Sequence, residues 1–208
     1  MQFHSVVAAV AAASAAVVKA TPPRRTQIAL PEGYEIEPMV WRGIIERGGR
    51  ELSFNGTIDE VTRQIQAINT DFTWGDVRDF QASRTRPQER SSKTGILCDV
   101  GGEDAAPHGP LTANAEESGD KIAKMSGTCA VAAGPRVCAE VACTRNAAVW
   151  LCNDNVTPIA PLCSSLASYV ADIVSTCGSE YYHGSRYCRG QEFDSDNYNI
   201  IVGWKSQC

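Results

Sequence analysis

The cysteines limit most strongly how this chain can fold. All nine occur at or after residue 98 of the 208-residue sequence. No pair has the C-x-x-C spacing of a zinc site, and the chain has only three histidines. Cysteines clustered without such spacing are typical of proteins that fold in an oxidising compartment. We therefore expect disulfides, one unpaired cysteine, and no metal or other cofactor. The nine are Cys98, Cys129, Cys138, Cys143, Cys152, Cys163, Cys177, Cys188 and Cys208.

The first residues also indicate secretion. Residues 1–20 are mostly small and apolar and end in Val-Lys-Ala, a pattern that fits a signal peptide and its cleavage site. The run is short for a membrane-spanning helix, and no later segment is apolar enough to insert into a membrane. Asn55 and Asn155 each begin an N-x-Thr sequon. These features predict a secreted, extracellular glycoprotein.

Residues 157–178 have the clearest helical period in the sequence. Thr157 and Gly178 suit the two ends of a helix. Cys163 and Cys177 lie on its apolar side, but a helix separates them by about 21 Å. A disulfide needs Cα atoms within about 7 Å, so each must bond a different cysteine beneath the helix. The apolar side consists of Ile159, Leu162, Cys163, Leu166, Val170, Ile173, Val174 and Cys177.

The layer beneath this helix is predicted to be a sheet. Alternating apolar residues and turn residues predict strands over residues 95–98, 127–133, 136–143, 147–152, 187–194 and 198–206. A weaker helix is expected over residues 111–126. Together these elements predict an α+β fold, in which an antiparallel sheet of about five strands carries two helices on one face.

The turn at residues 144–146 sets the register of two of these strands. A three-residue turn places Cys143 opposite Ala147, and Cys138 opposite Cys152. Direct opposition makes a Cys138–Cys152 disulfide feasible. The same register directs Cys143 toward the helix, so we favour a Cys143–Cys163 bond.

The sequence before the first cysteine predicts a small ββα unit at residues 38–82. Its two strands would meet at Gly48-Gly49, and Thr57 with Glu60 forms a capping box at the start of its helix. A unit of this size is not stable alone. It therefore either docks on the cysteine-rich part or acts as a detachable leader.

The remaining segments complete the predicted domain order. Residues 21–37 form an extended leader whose Arg24-Arg25 pair is a candidate processing site. Residues 83–94 are polar and charged and form a linker. The cysteine-rich domain then occupies residues 95–208.

The order of elements in the cysteine-rich domain resembles a known family. Residues 95–208 resemble the killer-toxin-four-like family, typified by a virally encoded smut-fungus toxin, and related secreted fungal effectors of the necrosis-inducing type. The residues that carry the resemblance are 95–98, Arg136-Val137-Cys138, the helix at 162–177, Arg189-Gly190-Gln191, Cys208, and, for the effectors, 126–129 and 197–199.

This resemblance implies a fold and a way of acting. It implies an antiparallel sheet with helices across one face, several disulfides and no enzymatic centre. Family pairing implies the bonds Cys98–Cys177 and Cys138–Cys163. It also implies that an exposed Arg136 contacts the target. We therefore expect a virulence effector or killer-toxin-like protein that is a monomer and binds an unidentified extracellular or membrane protein.

Charge and composition are consistent with a binding protein. From residue 95 onward seven basic residues face thirteen acidic ones, a formal charge of about −6. This excess argues against nucleic acid or an anionic membrane as the main partner. The only histidines after the signal peptide are His108 and His183, and no G-x-S-x-G motif is present. We therefore do not expect an enzyme.

Two alternatives remain open. An inhibitor of extracellular hydrolases would place residues 38–69, or a loop such as residues 105–110, in an enzyme cleft. A small ribonuclease would use His183 and Glu192 on a phosphodiester, but it also needs cationic phosphate contacts. A cation site at Asp194, Asp196 and Asn197 is less favoured than a turn held by Asx hydrogen bonds.

Overall fold

The computed structural model describes residues 30–75, 77, 92–100 and 109–208. The predicted signal peptide, the Arg24-Arg25 pair and most of the predicted linker lie outside these residues. The described chain has the predicted α+β fold, in which helices cover one face of a largely antiparallel sheet.

The predicted elements occur in the predicted order with shifted ends, and three short strands that were not predicted are also present. The helices are α1 (Ile58–Gln66), α2 (Thr112–Lys124) and α3 (Leu166–Cys177). The strands are β1 (Glu35–Ile36), β2 (Val40–Gly43), β3 (Leu52–Asn55), β4 (Lys93–Cys98), β5 (Thr128–Ala130), β6 (Val137–Thr144), β7 (Ala147–Asn153), β8 (Glu180–Tyr182), β9 (Ser185–Tyr187), β10 (Gly190–Asp194) and β11 (Tyr198–Trp204).

Three sheets are formed by these strands. The main sheet has six strands in the order β1-β6-β7-β11-β10-β4, and a smaller one has the order β3-β2-β5. Strands β8 and β9 form a separate hairpin. All neighbours are antiparallel except β1, which pairs in parallel with β6 and lies in the segment predicted to be a leader.

Helices α2 and α3 pack side by side on one face of the main sheet. Helix α2 lies over β6 and β7, and α3 lies over β4, β10 and β11. A Cβ on Gly119 would lie 3.1 Å from Val170 Cγ1, so the glycine lets the two helices approach closely. Among the residues described, no helix combines the length and apolar character needed to cross a bilayer.

The beginning of α3 differs from the prediction. The apolar period is confirmed from Leu166 to Cys177, and the helix ends at Gly178 as expected. Residues 159–162 are not helical, because their backbone bonds to the β5 region: Ile159 pairs with Val131, and the Pro161 carbonyl accepts from Cys129 N at 2.9 Å. A proline also disfavours helix in the residue before it.

The predicted register of β6 and β7 is half correct. Cys138 lies opposite Cys152 as expected. However, the turn has two residues, so Thr144 and not Cys143 lies opposite Ala147. A bulge at Val141 adds one residue to β6 and moves the side chains after it to the other face. Cys143 therefore lies on the face away from the helices.

The described residues contain four disulfides. Cys98–Cys177 and Cys138–Cys152 are present as expected. The prediction of Cys143–Cys163 is wrong, because the bulge in β6 turns Cys143 away from α3, and the Cys138–Cys163 bond implied by the resemblance is also absent. The other two bonds are Cys129–Cys163 and Cys143–Cys208, and Cys188 is free and buried.

The amino-terminal unit is docked on the cysteine-rich part. Strand β2 pairs with β5, so the predicted β-hairpin becomes a three-stranded sheet. Trp41 is fully buried, and its Nε1 donates to the Ser126 carbonyl at 2.7 Å. The capping box of Thr57 and Glu60 is formed as predicted. The unit shares one continuous hydrophobic core with the helices α2 and α3.

The face of the main sheet opposite the helices is also buried. Trp150 and Ile201 have no exposed surface, and Leu30, Tyr34 and Val100 pack against them. The Tyr34 hydroxyl also accepts from Gln191 Nε2 at 3.0 Å. Leu30 and Tyr34, near the beginning of the described chain, thus cover the sheet face that would be exposed to solvent if the fold had only a sheet and one layer of helices.

Candidate functional site

The β8–β9 hairpin presents exposed aromatic side chains and was not predicted as a hairpin. Its turn residues His183 and Gly184 both have positive φ, of 49° and 79°. Two consecutive positive φ angles are typical of the tight turn that matches the twist of a hairpin. Tyr181 is 74% exposed and Tyr182 is 46% exposed.

The two sides of this hairpin have different side chains. Tyr181 pairs directly with Arg186, so both project from the same side. On the other side the Tyr182 ring packs against His183, at 4.1 Å between ring centroids, and against Tyr187 at 6.3 Å. The first side therefore exposes Tyr181 to solvent, whereas the second side fixes the shape of the hairpin. We call Tyr181, Tyr182, His183 and Arg186 the tyrosine hairpin.

The hairpin is anchored at both ends. Before it, α3 ends at Cys177, which is bonded to Cys98. After it, Tyr187 pairs with Leu111 and the Cys188 amide donates to the Pro110 carbonyl at 3.0 Å. An anchored loop loses less conformational entropy on binding than a free one. These contacts thus fix both ends of the hairpin.

Arg136 belongs to another part of the chain and lies just before β6. It is exposed, has a positive φ of 63°, and its carbonyl accepts from the Glu35 amide at 2.9 Å. Its guanidinium Nη1 lies 3.0 Å from the position that a Cβ on Gly33 would take. The side chain therefore packs along the segment before β1.

A cleft of about 620 Å³ lies between the amino-terminal unit and the main sheet. Glu140 and Lys205 form an ion pair at 2.6 Å in it, with 14% and 18% of their side chains exposed. Burial raises the pKa of Glu140, although Lys205 acts in the opposite direction. Glu60 and Asp59 also line the cleft, but they bind Thr57 and Lys121. These charged groups thus have structural partners.

The two sequons differ in their environment. Asn55 is exposed at the end of β3. In contrast, Asn155 Nδ2, the atom to which a glycan would be attached, donates to the carbonyls of Asp196 and Asn197 at 2.9 and 3.0 Å. It thereby holds the β10–β11 turn against the end of β7. The geometry favours glycosylation of Asn55 and disfavours that of Asn155.

The structure does not bring the ribonuclease candidates into contact with each other. His183 lies in the exposed hairpin turn, whereas Glu192 is buried and contacts Lys93 and Asp172. His108 and most of the loop at residues 105–110 lie outside the described residues. The described residues also contain no group of three or more potential metal ligands.

The turn at residues 194–197 has the predicted Asx hydrogen bond. Asp196 N donates to Asp194 Oδ1 at 2.8 Å. The other carboxylate oxygen of Asp194 accepts from the Tyr169 hydroxyl. Both oxygens of this carboxylate therefore stabilise the fold.

Comparisons with known proteins give no relative. No family model matches the chain, and no similar protein is found among the curated proteins or the solved structures.

Proposed function

We propose that this chain is a secreted, disulfide-stapled effector or killer-toxin-like protein, which acts by binding a protein target of a host or competitor through the tyrosine hairpin. The observation that carries the proposal is the exposed Tyr181 beside Arg186 on an anchored hairpin. Tyrosine and arginine are among the residues that contribute most to binding at protein interfaces. The sequence resemblance to secreted toxins and effectors supports the same function.

The chemistry of the surface favours a protein target over nucleic acid. The described residues of the hairpin include one arginine, Arg186. Its Nη2 forms an ion pair with Glu116 Oε1 at 3.8 Å, so part of its charge is already neutralised. Binding to phosphates in nucleic acid needs several basic groups, because each contact neutralises one charge. An exposed tyrosine, in contrast, gains most when it is buried in a pocket of another protein.

The proposal can be tested with purified protein whose disulfides are intact. Native protein and the double variant Tyr181→Ala/Arg186→Ala would be applied to leaf tissue and to competing fungi. The expected result is at least about a tenfold loss of bound protein and of the biological response, since contacts of this kind contribute about 1–2 kcal/mol each. Circular dichroism and thermal unfolding would check that the variant is folded.

A matched control comes from another exposed apolar side chain. Val156 is 78% exposed in a loop after β7, so Val156→Ala removes apolar surface outside the hairpin. It should bind as the native protein does. Equal responses to native protein and the hairpin double variant would contradict the proposal.

Inhibition of an extracellular hydrolase is the second candidate function. The exposed and anchored hairpin favours it, because an anchored loop can enter an enzyme cleft without large rearrangement. Capture of partners from apoplastic or culture fluid distinguishes the two functions: a hydrolase whose activity falls on binding supports inhibition. The ribonuclease alternative is tested by RNA cleavage that is lost in His183→Ala.

A further inference from the structure

A cluster of ionisable side chains connects α3 to the β4–β10 edge of the main sheet. Lys93 on β4 forms an ion pair with Asp172 on α3, and its Nζ lies 3.7 Å from Glu192 Oε2 on β10. The ammonium also lies over the Tyr169 ring, 4.5 Å from its centroid. One cation thus faces two carboxyl groups from different elements.

Glu192 is the most enclosed member of this cluster. The residue is only 3% exposed, and its Oε2 has no hydrogen-bond partner in the described structure. Asp172, in contrast, has 48% of its side chain exposed and contacts the lysine directly. A buried carboxylate without a full set of partners is costly, so Glu192 is the group whose charge the site accommodates least.

The other neighbours of Glu192 do not compensate for a second negative charge. Its partners on the adjacent strands are Ile96 on β4 and Ile200 on β11, which are both apolar. Asp194, two residues further along β10, is itself acidic and accepts from Tyr169. From β11, the Tyr198 hydroxyl contacts the Tyr169 hydroxyl at 3.0 Å. Among the described residues, Lys93 is therefore the cation that lies next to the Glu192 carboxyl group.

We propose that the contact of α3 with β4 and β10 is a pH-sensitive clamp, which is closed when Glu192 is protonated and loosens when Glu192 becomes an anion beside Asp172. This device is independent of the proposed function, because it concerns the stability of α3 in any fluid. Its role would be to hold α3 against the main sheet at acidic pH.

The direction of the pH effect follows from linkage. Burial raises the pKa of Glu192 from 4.5 to about 7, the neighbouring Asp172 adds to this increase, and Lys93 opposes it. The folded protein therefore holds this proton more tightly than the unfolded chain does. The resulting stabilisation is fully present below the unfolded pKa of about 4.5, and it is lost as the pH rises through about 7.

Hydrogen exchange of the wild-type protein tests the clamp directly. Amide exchange of α3 and α2 would be measured at about pH 5 and about pH 8 and normalised to the intrinsic rate at each pH. Opening of α3 should become about a hundredfold more frequent at the higher pH, since the folded-state pKa of about 7 lies about two units above the lower pH. Helix α2 serves as the internal control and should change much less.

Two matched variants assign the effect to Glu192. Glu192→Gln removes the titrating group, so opening of α3 should change less than about threefold over the same range. Glu117→Gln alters an exposed glutamate that pairs with Arg145 on another part of the surface, and it should behave like the wild type. If Glu192→Gln does not fold, the comparison of exchange in α3 and α2 of the wild-type protein at the two pH values still tests the clamp. Equal changes in the two helices, or an unchanged pH dependence in Glu192→Gln, would overturn the proposal.

Discussion

The amino-terminal unit and the cysteine-rich part are stabilised by different means. Residues 38–75 contain no cysteine and are attached by the pairing of β2 with β5 and by buried side chains such as Met39 and Trp41. The cysteine-rich part carries all four disulfides. One hydrophobic core is thus fixed by covalent bonds on one side and held by strand pairing and packing on the other. Perturbations of packing and of disulfides should therefore have different regional effects.

The largest effect is expected for Trp41→Ala. The ring is fully buried between the two regions and contacts Phe54 and Trp74. Its removal leaves a cavity and an unpaired carbonyl at Ser126, so we expect a loss of about 4 kcal/mol in the free energy of unfolding. Urea unfolding measures this loss, and hydrogen exchange should show that α1 opens before α3.

A matched control uses an apolar residue of the same unit. Ile68 follows α1 and is 64% exposed, so Ile68→Ala should change the free energy of unfolding by less than about 0.5 kcal/mol. A small loss in Trp41→Ala, or uniform opening of the whole chain, would show that the amino-terminal unit is not held by packing at this residue.

The second effect comes from the disulfide nearest to the boundary. Cys129 on β5 is bonded to Cys163 just before α3, and 34 positions separate them in sequence. In the chain-entropy model a disulfide that closes a loop of this length adds about 3–4 kcal/mol to the free energy of unfolding. Cys129→Ala/Cys163→Ala should therefore lose about 3 kcal/mol in urea unfolding, and it should loosen the amino-terminal unit too, because β5 pairs with β2.

Cys188 provides the control for this variant. Its thiol is free and buried, and burial raises its pKa to about 11, so it is protonated at neutral pH. Cys188→Ala removes a buried sulfur but breaks no cross-link. The free energy of unfolding should therefore fall by only about 1 kcal/mol. Equal losses in the two variants would mean that the cross-link itself contributes little.

Features of this structure could be predicted from the sequence where a short, local sequence pattern specifies them. The capping box at Thr57 and the opposition of Cys138 and Cys152 follow from short sequence patterns, and both are observed. The bulge at Val141 has no such signal, because Val141 and Ala142 after it are apolar residues that fit either face. This one extra residue decides the partner of Cys143, so the error in register became an error in disulfide pairing.

The candidate sites were less accessible to prediction. His183-Gly184 between tyrosine-bearing runs is a hairpin signal that was available in the sequence, but it is weaker than Asn-Gly or Asp-Gly. The contact of Lys93, Asp172 and Glu192 joins two strands and a helix, and only the tertiary fold brings them together. The start of α3 was misplaced because the apolar residues before Leu166 also fit the irregular segment that pairs with β5.

The third effect tests the cleft where the two regions meet. Lys205→Ala leaves Glu140 largely buried without its cation, so we expect a loss of about 2 kcal/mol at neutral pH. The pKa of Glu140 is already raised by burial, and loss of Lys205 raises it further. The folded variant then binds a proton more readily than the unfolded chain, and its deficit should shrink as the pH falls. Urea unfolding at about pH 7 and about pH 4.5 measures this difference.

An exposed ion pair serves as the control for the largely buried pair of Lys205 and Glu140. Arg145 and Glu117 lie at 3.0 Å with 72% and 41% of their side chains exposed. Arg145→Ala should therefore lose less than about 0.5 kcal/mol, with little dependence on pH. A Lys205→Ala deficit that does not depend on pH would contradict the assignment to Glu140.

The smallest effect is confined to the amino-terminal unit. Thr57 Oγ1 accepts from Glu60 N at the start of α1, and Glu60 Oε2 accepts from Thr57 N at 2.8 Å. Thr57→Ala removes the first bond and should reduce stability by about 1 kcal/mol, whereas Thr57→Ser keeps the oxygen and should reduce it by less than half as much. Because no disulfide crosses this unit, the loss should appear as faster hydrogen exchange in α1 while α2 and α3 keep their rates. Equal acceleration in all three helices would show instead that the unit unfolds only together with the cysteine-rich part, and that the two regions are one cooperative body despite their different means of attachment.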